Sequence, residues 1–321
     1  MTTGEKSENK NLAYYRQSFE NLNVNTTSTR GKSKHQPILL LSIIDLIDRG
    51  VIRENRIYIS DDLVKTFDKY WDVLGPDSQR RGLHYPFWHL ESGGFWHNTL
   101  KSGFNGLKPK TTNTLRKAVE YASVDDELFN ILQEPNSRAE LIDTLVAAWF
   151  SSKRDDRGNI LQVNQDLIKL AEKEVEISNR PNFDREPRFY LRKSPFRNAI
   201  FRKAVVEAYD YRCALCRLKV RRTLTQKIVD GSHIKPFSRF YDDQVDNGIS
   251  LCKNHHWAFD QGWFAIDDNY RIIVANDLEE ESPNARCMKD FHSETILLPT
   301  AEQYLPRLES LQWHRLNVFR A

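Results

Sequence analysis

Apolar residues are spread unevenly along this chain, and the densest run sets its first core. Residues 37–47 open with a proline suited to a first helical turn and are apolar almost all round, which predicts a central helix. Residues 12–22 place Tyr14, Tyr15, Phe19 and Leu22 near one face, a short amphipathic helix, and the polar stretch 23–34 reads as a loop. Residues 56–60 predict a short strand, and 61–74 a helix opened by Ser60 or Asp61 and stopped by Gly75-Pro76. The aromatic stretch 83–90, followed by Gly93-Gly94 and Phe95-Trp96-His97, predicts a hairpin or two short strands joined at the glycines. Further helices are expected over 114–121, 126–132 and 137–150.

The pattern breaks at 153–158, resumes as a helix over 162–175, and turns linker-like over 179–187. Residues 196–209 predict a helix with its basic residues outward, 263–266 and 270–274 a hairpin, and 301–311 a final helix. The expected fold class is α+β: a mostly helical N-terminal domain with a small sheet over 1–152, a linker and helix over 153–190, and a C-terminal domain over 191–321.

Composition narrows the class. With 40% hydrophobic and 28% charged residues the chain is globular, and no run approaches the ~20 apolar residues of a bilayer span. The first ten residues are polar and lack the apolar core of a secretory signal, and four cysteines mostly in one window suit a reducing cytoplasm. Net charge is only +3, but residues 185–222 hold twelve Lys or Arg against three acidic residues. Such a stretch suits phosphate contacts that give affinity without reading sequence.

That basic stretch runs into the window 211–266, which concentrates the candidate chemistry. Cys213-x2-Cys216 is matched by Cys252-x2-His255, and two such pairs supply the four soft ligands of a closed tetrahedral zinc site. Alone, this would mark a structural zinc module. Interleaved with the pairs are His233, Asn247 and His256; one neutral imidazole can act as a general base near pH 7 and another can bind a divalent metal. Cys287 is left over as a buried or free thiol.

The His233-Ile-Lys-Pro236, Asp246-Asn247-Gly248 and Leu251-Cys252-Lys-Asn-His255-His256 segments resemble the HNH endonucleases, with their ββα-metal fold, over roughly 196–319. The resemblance implies that His233 deprotonates the attacking water and that Asn247 fixes the loop that orients this histidine. It implies too that His256 holds a Mg2+, Mn2+ or Co2+ ion at the scissile phosphate, and that His255 replaces a fourth zinc cysteine. Many members carry an acidic ligand directly before the first histidine. Ser232 stands there, so Asp230 becomes the nearest acidic candidate.

In the N-terminal half, Lys34-His35-Gln36-Pro37 and His84-Tyr85-Pro86-Phe87-Trp88 resemble the sulfur-binding domains of phosphorothioate-dependent type IV restriction endonucleases. Sulfur in place of a phosphate oxygen is larger, more polarisable and less well hydrated, so Tyr85 and Pro86 could form an apolar cup for it. Arg30, Lys34, His35, His84 and His89 are then the candidates for holding the rest of the phosphate. The resemblance implies a restriction endonuclease acting on phosphorothioate-modified double-stranded DNA, with a homodimer attractive for cutting both strands. Two other readings remain open: a reader of methylated bases joined to the same nuclease, and a catalytically inactive DNA-binding regulator.

Overall fold

The computed structural model describes residues 10–28, 31–106, 108–150, 160–178, 195–222 and 226–320, without the side chains of 173–178. The predicted breaks at 153–158 and 179–187, and Arg30, lie outside the described residues. The chain divides into two compact units, the first holding the described residues up to Phe150 and the second those from Ile160, with Pro195 and Phe196 counted in the first.

The first unit is built round a helix that has no solvent face. Helix α1 (Leu12–Glu20) starts at Asn11, whose side chain accepts from the Tyr14 N–H, and is followed by a short hairpin, β1 (Thr26–Thr27) with β2 (Gly31–Lys32), inside the expected loop. Helix α2 (His35–Asp48) is buried from Gln36 through Ile47, as its all-round apolar sequence requires. Helix α3 (Asp61–Leu74) packs along it, opened by the Ser60 hydroxyl, which accepts from the Leu63 N–H, and ended at Gly75.

The aromatic segment corrects the expected strands. Residues His84–His89 form α4, a 3₁₀ turn covers Leu90–Gly93, and Gly94 takes a left-handed φ of 77° before β3 (Trp96–Leu100) begins. Leu83, Phe87 and Leu90 are all buried, a helical period that strand-forming aromatics disguised. Pro86 falls in the first turn, where a missing N–H is harmless. The expected helix over 114–121 is also shorter: α5 (Thr112–Ala118) gives way to β4 (Val119–Val124), which pairs antiparallel with β3. The expected strand at 56–60 reduces to one bridge, Ile57 to Ala122. Helices α6 (Asp126–Gln133) and α7 (Pro135–Trp149) complete the unit.

The second unit holds α8 (Ile160–Ser178), α9 (Pro195–Ala208), and an antiparallel pair, β5 (Val229–His233) with β6 (Gly248–Cys252). Between these strands lies the short α10 (Phe237–Phe240), and β6 runs directly into α11 (Lys253–Asp260). A second hairpin, β7 (Phe264–Ile266) with β8 (Ile272–Val274), follows, and α12 (Leu308–Asn317) closes the unit. This last helix starts later than expected because the backbone before Pro306 is extended at Leu305. His314 of α12 stacks on Phe259 of α11, their ring centres 3.7 Å apart.

Helix α9 is not basic-face-out along its length. Arg197 and Lys203 are buried, Arg197 in an ion pair with Asp243 and Lys203 over the Tyr211 ring. The helix lies close to the β5–β6 pair because two strand positions are glycine. A Cβ on Gly231 would fall 2.7 Å from the Arg202 carbonyl oxygen, and one on Gly248 2.3 Å from a Val205 methyl. Gly248→Ala is therefore expected to lower the unfolding free energy of the second unit by about 1–3 kcal/mol, measured by denaturant titration.

Candidate active site and metal centre

A knuckle after α9 and the β6–α11 junction meet at four ligand atoms. Around Cys213 the backbone folds back on itself: its N–H donates to the Leu218 carbonyl, its carbonyl accepts from Arg217, and Arg217 adopts φ 62°. The Ala214 N–H donates to the Ser250 carbonyl at 2.7 Å and ties this knuckle to β6. Cys252 ends β6 and precedes α11, so His255 stands one helical turn along from it. Ligand atoms of Cys213, Cys216, Cys252 and His255 all lie within 4.8 Å of one another, and the His255 Nδ1 is 3.4 Å from the Cys213 Sγ and 3.2 Å from that of Cys252.

Their protonation equilibria report the crowding. Hydrogen bonding with Cys216 and Cys252, reinforced by burial, pushes the Cys213 thiol far up, whereas hydrogen bonds from Cys213 and Cys216 hold that of Cys252 far down. Burial alone would lower His255, but the thiols of Cys216 and Cys252 raise it to about 9. Loss of the protons on Cys213 and His255 would leave three thiolates and a neutral imidazole this close, a set that a metal cation would hold together. The donor set and spacing fit a tetrahedral ion with ligand distances of about 2.0–2.3 Å.

His233 ends β5, a few residues before the loop that returns the chain to β6. Its ring lies flat on Phe201 of α9, centres 3.8 Å apart and planes 10° from parallel. Its Nε2 is 2.8 Å from Asp243 Oδ1, while the other Asp243 oxygen is 2.8 Å from the Arg197 Nε. Asn247 is completely buried. Its side-chain oxygen accepts from the Lys235 N–H at 3.0 Å, and its amide donates to the carbonyls of Lys235 and Asp242 at 3.1 and 3.0 Å. Asn247 therefore clasps the loop at both ends, and its side-chain bonds go to that backbone.

His256 on α11 has its Nε2 3.5 Å from Asp260 Oδ2. Burial raises the Asp260 pKa, and both His256 and His233 pull it back, so the two imidazoles act on one carboxyl group. Asp230 is bracketed by Lys253 at 3.2 Å and Arg202 at 3.8 Å. Burial would raise its pKa, but Arg202, Lys253, Lys227 and His256 together hold it below the usual carboxylate range. Among the described residues the three cysteines with His255 are the one group of three or more metal-ligating side chains. Asp243 and Arg197 escaped the sequence reading. The run Asp242-Asp243-Gln244-Val245-Asp246 offers three acids before Asn247, and spacing does not select the one that reaches His233.

In the first unit, α2 and α4 bring four of the predicted residues together. The Tyr85 ring is half-exposed, 5.8 Å from the His35 ring and 4.8 Å from that of His89, with its hydroxyl bonded by Asn25. His84 acts electrostatically on His35. His35 has both ring nitrogens engaged: Nε2 donates to the Arg80 carbonyl at 2.8 Å, and Nδ1 accepts from the Ser33 hydroxyl at 2.9 Å. Burial lowers the pKa of His35, of His84 and of His89, where Lys108 adds to it. Burial thus favours the neutral form of all three imidazoles. Pro86 is buried on α4. Lys34 is buried as well, its ammonium donating to the Trp149 carbonyl and lying over the Phe150 ring, so it is directed inward.

Comparison with known proteins assigns both halves. Residues 14–163 match the family model of the ScoMcrA-like DNA sulfur-binding domain, and residues 213–267 match that of an HNH endonuclease. No curated protein matches the chain. Among solved structures, the modification-dependent TagI restriction endonuclease is similar at 22% identity and a TM-score of 0.29, over 39% of this chain and 40% of that one. The sulfur-binding domain of SprMcrA complexed with phosphorothioated DNA is similar at 20% identity and a TM-score of 0.35, over 48% of this chain and 92% of that one. The chain thus spans about two-fifths of the TagI protein's length. It joins a ScoMcrA-like DNA sulfur-binding domain to an HNH endonuclease domain.

Proposed function

We propose that the chain is a phosphorothioate-dependent restriction endonuclease: residues 1–152 select double-stranded DNA that carries sulfur in its backbone, and residues 191–321 hydrolyse a phosphodiester bond. The observation that carries this reading is that one chain matches a DNA sulfur-binding domain over residues 14–163 and an HNH endonuclease over residues 213–267. A zinc ion at Cys213, Cys216, Cys252 and His255 would lock the β5–β6–α11 frame. Its thiols stay reduced in the cytoplasm, where we place the protein.

In the proposed reaction His233 takes the proton of a water molecule as the water oxygen bonds to phosphorus. The bond from phosphorus to the departing sugar oxygen breaks, and that oxygen takes a proton from solvent. His256 would hold a magnesium, manganese or cobalt ion, with Asp230 the nearest acidic candidate beside it. When bound, this ion supplies positive charge to the phosphoryl oxygens. Asn247 keeps the loop closed so that His233 stays in place. Cutting both strands requires two such sites or two visits, which a homodimer would provide.

The uncharged character of the Tyr85 cluster supports sulfur selection. A phosphate oxygen calls for cations and strong donors, whereas sulfur, larger and less hydrated, is compatible with an aromatic ring flanked by neutral imidazoles. Full-length protein should bind a duplex with one Rp phosphorothioate about tenfold or more tighter than its all-oxygen twin, a difference of about 1.4 kcal/mol. Gel-shift titration at fixed salt measures this, and Tyr85→Ala should erase the preference. Equal affinity for the two duplexes would refute sulfur reading, and tighter binding to a methylated duplex would transfer the role to a base mark.

Two further outcomes test the nuclease half. His233→Ala should abolish cleavage of modified plasmid while gel shifts show unchanged binding; unchanged cutting would overturn the assignment. A strong chelator should strip about one zinc per chain, lower the melting temperature, and leave activity that magnesium alone does not restore. Metal analysis of Cys213→Ser should show that ion lost.

A further inference from the structure

The carboxylate of Asp243 lies at the centre of a buried chain of contacts that ends on the proposed base. Its Oδ1 is 2.8 Å from the His233 Nε2, and its Oδ2 is 2.8 Å from the Arg197 Nε. Asp243 and Arg197 are almost wholly buried, at 1% and 4% side-chain exposure. The Asp243 backbone is held too: its carbonyl accepts from the Asn164 side-chain amide at 2.8 Å. Phe201 covers one face of the imidazole, and Phe237 lies 5.6 Å away. The ring of His233 is thus fixed in plane, and one of its nitrogens is committed.

We propose that Asp243, itself fixed by Arg197 and Asn164, is the positioning residue that sets the tautomer of His233. The inference rests on the nuclease reading above. A carboxylate can only accept, so the Nε2 facing it bears the hydrogen and the lone pair is left on Nδ1. Nδ1 is then the atom that receives the proton of the attacking water. As that proton arrives, the imidazole becomes a cation, and the adjacent carboxylate stabilises it. Arg197 prevents the carboxylate from swinging away, and its own buried charge is matched by Asp243. The arrangement extends the working site beyond residues 213–267, the segment that matches the HNH endonuclease, to Asn164 on α8 and Arg197 on α9.

The test uses full-length, zinc-loaded protein with 15N-labelled histidine, the His233 signals being identified by their loss in His233→Gln. The wild-type spectrum should show His233 protonated at Nε2 and bare at Nδ1. Asp243→Asn should mix the two tautomers and slow single-turnover cleavage about 10²–10⁴-fold, the range of a general base, with DNA affinity unchanged. Because that variant leaves Arg197 without its carboxylate, Asp243→Asn combined with Arg197→Met serves as a second form, and it should be equally slow. A wild-type tautomer protonated at Nδ1, or a folded double variant that cuts at the wild-type rate, would overturn the proposal. If His233→Ala itself cuts normally, the nuclease reading fails; if it is inactive while either of those results is found, only the role of Asp243 fails.

Discussion

Helix α9 lies so close to the β5–β6 pair that no side chain fits at Gly231 or Gly248. That approach governs the rest of the second unit. It brings Phe201 flat against His233 and lets Arg197 reach Asp243 on the loop between the strands. A Cβ at either glycine would have to displace a backbone or a packed side chain, and the ring of His233 would shift with it. The geometry of the proposed chemistry is therefore set by packing between a helix and two strands before any ligand is present.

The four-ligand cluster performs a different task in the same frame. It ties the knuckle after α9 to the junction of β6 and α11, two pieces of chain about forty residues apart in sequence. Among the described residues the unit has only two-stranded sheets to build on, and such pairs are marginal by themselves. A metal cross-link there would supply the rigidity that a larger sheet would give. It would also fix where α11 starts, and His256 follows directly after the last candidate ligand. The proposed structural and catalytic roles are thus adjacent in sequence yet separate in chemistry: soft thiols on one side, an imidazole beside carboxylates on the other.

On the proposed reading the first unit meets its recognition problem with little charge around Tyr85. His35 spends both nitrogens inside the protein and lies between Trp71 and Tyr85, so it works by holding rings in place. Lys34, next in line to be a phosphate contact, is directed inward. What remains around Tyr85 is aromatic surface and imidazole whose neutral form burial favours, a setting that on the proposed reading would discriminate by size and polarisability more than by charge. Affinity for the phosphate backbone must then come from other parts of the surface.

Local patterns carried much of the architecture. The all-round apolar run foretold α2, Ser60 and Gly75 foretold the ends of α3, and the Cys-x2-Cys and Cys-x2-His pairs foretold the cluster, because each depends on residues a few positions apart. The aromatic stretch that became α4 shows where this stops: strand-forming residues with a helical spacing are decided by the core they meet, here through Leu83, Phe87 and Leu90. Long-range electrostatics stayed hidden for the same reason. Which of three neighbouring acids pairs with His233, and that Arg197 and Lys203 turn inward while the histidines near Tyr85 stay neutral, depend on burial and on contacts between distant segments. Sequence determined which groups were available and how the helices and strands begin; only the tertiary structure decided which of those groups lose water and meet a partner, and that choice sets their charge and their function.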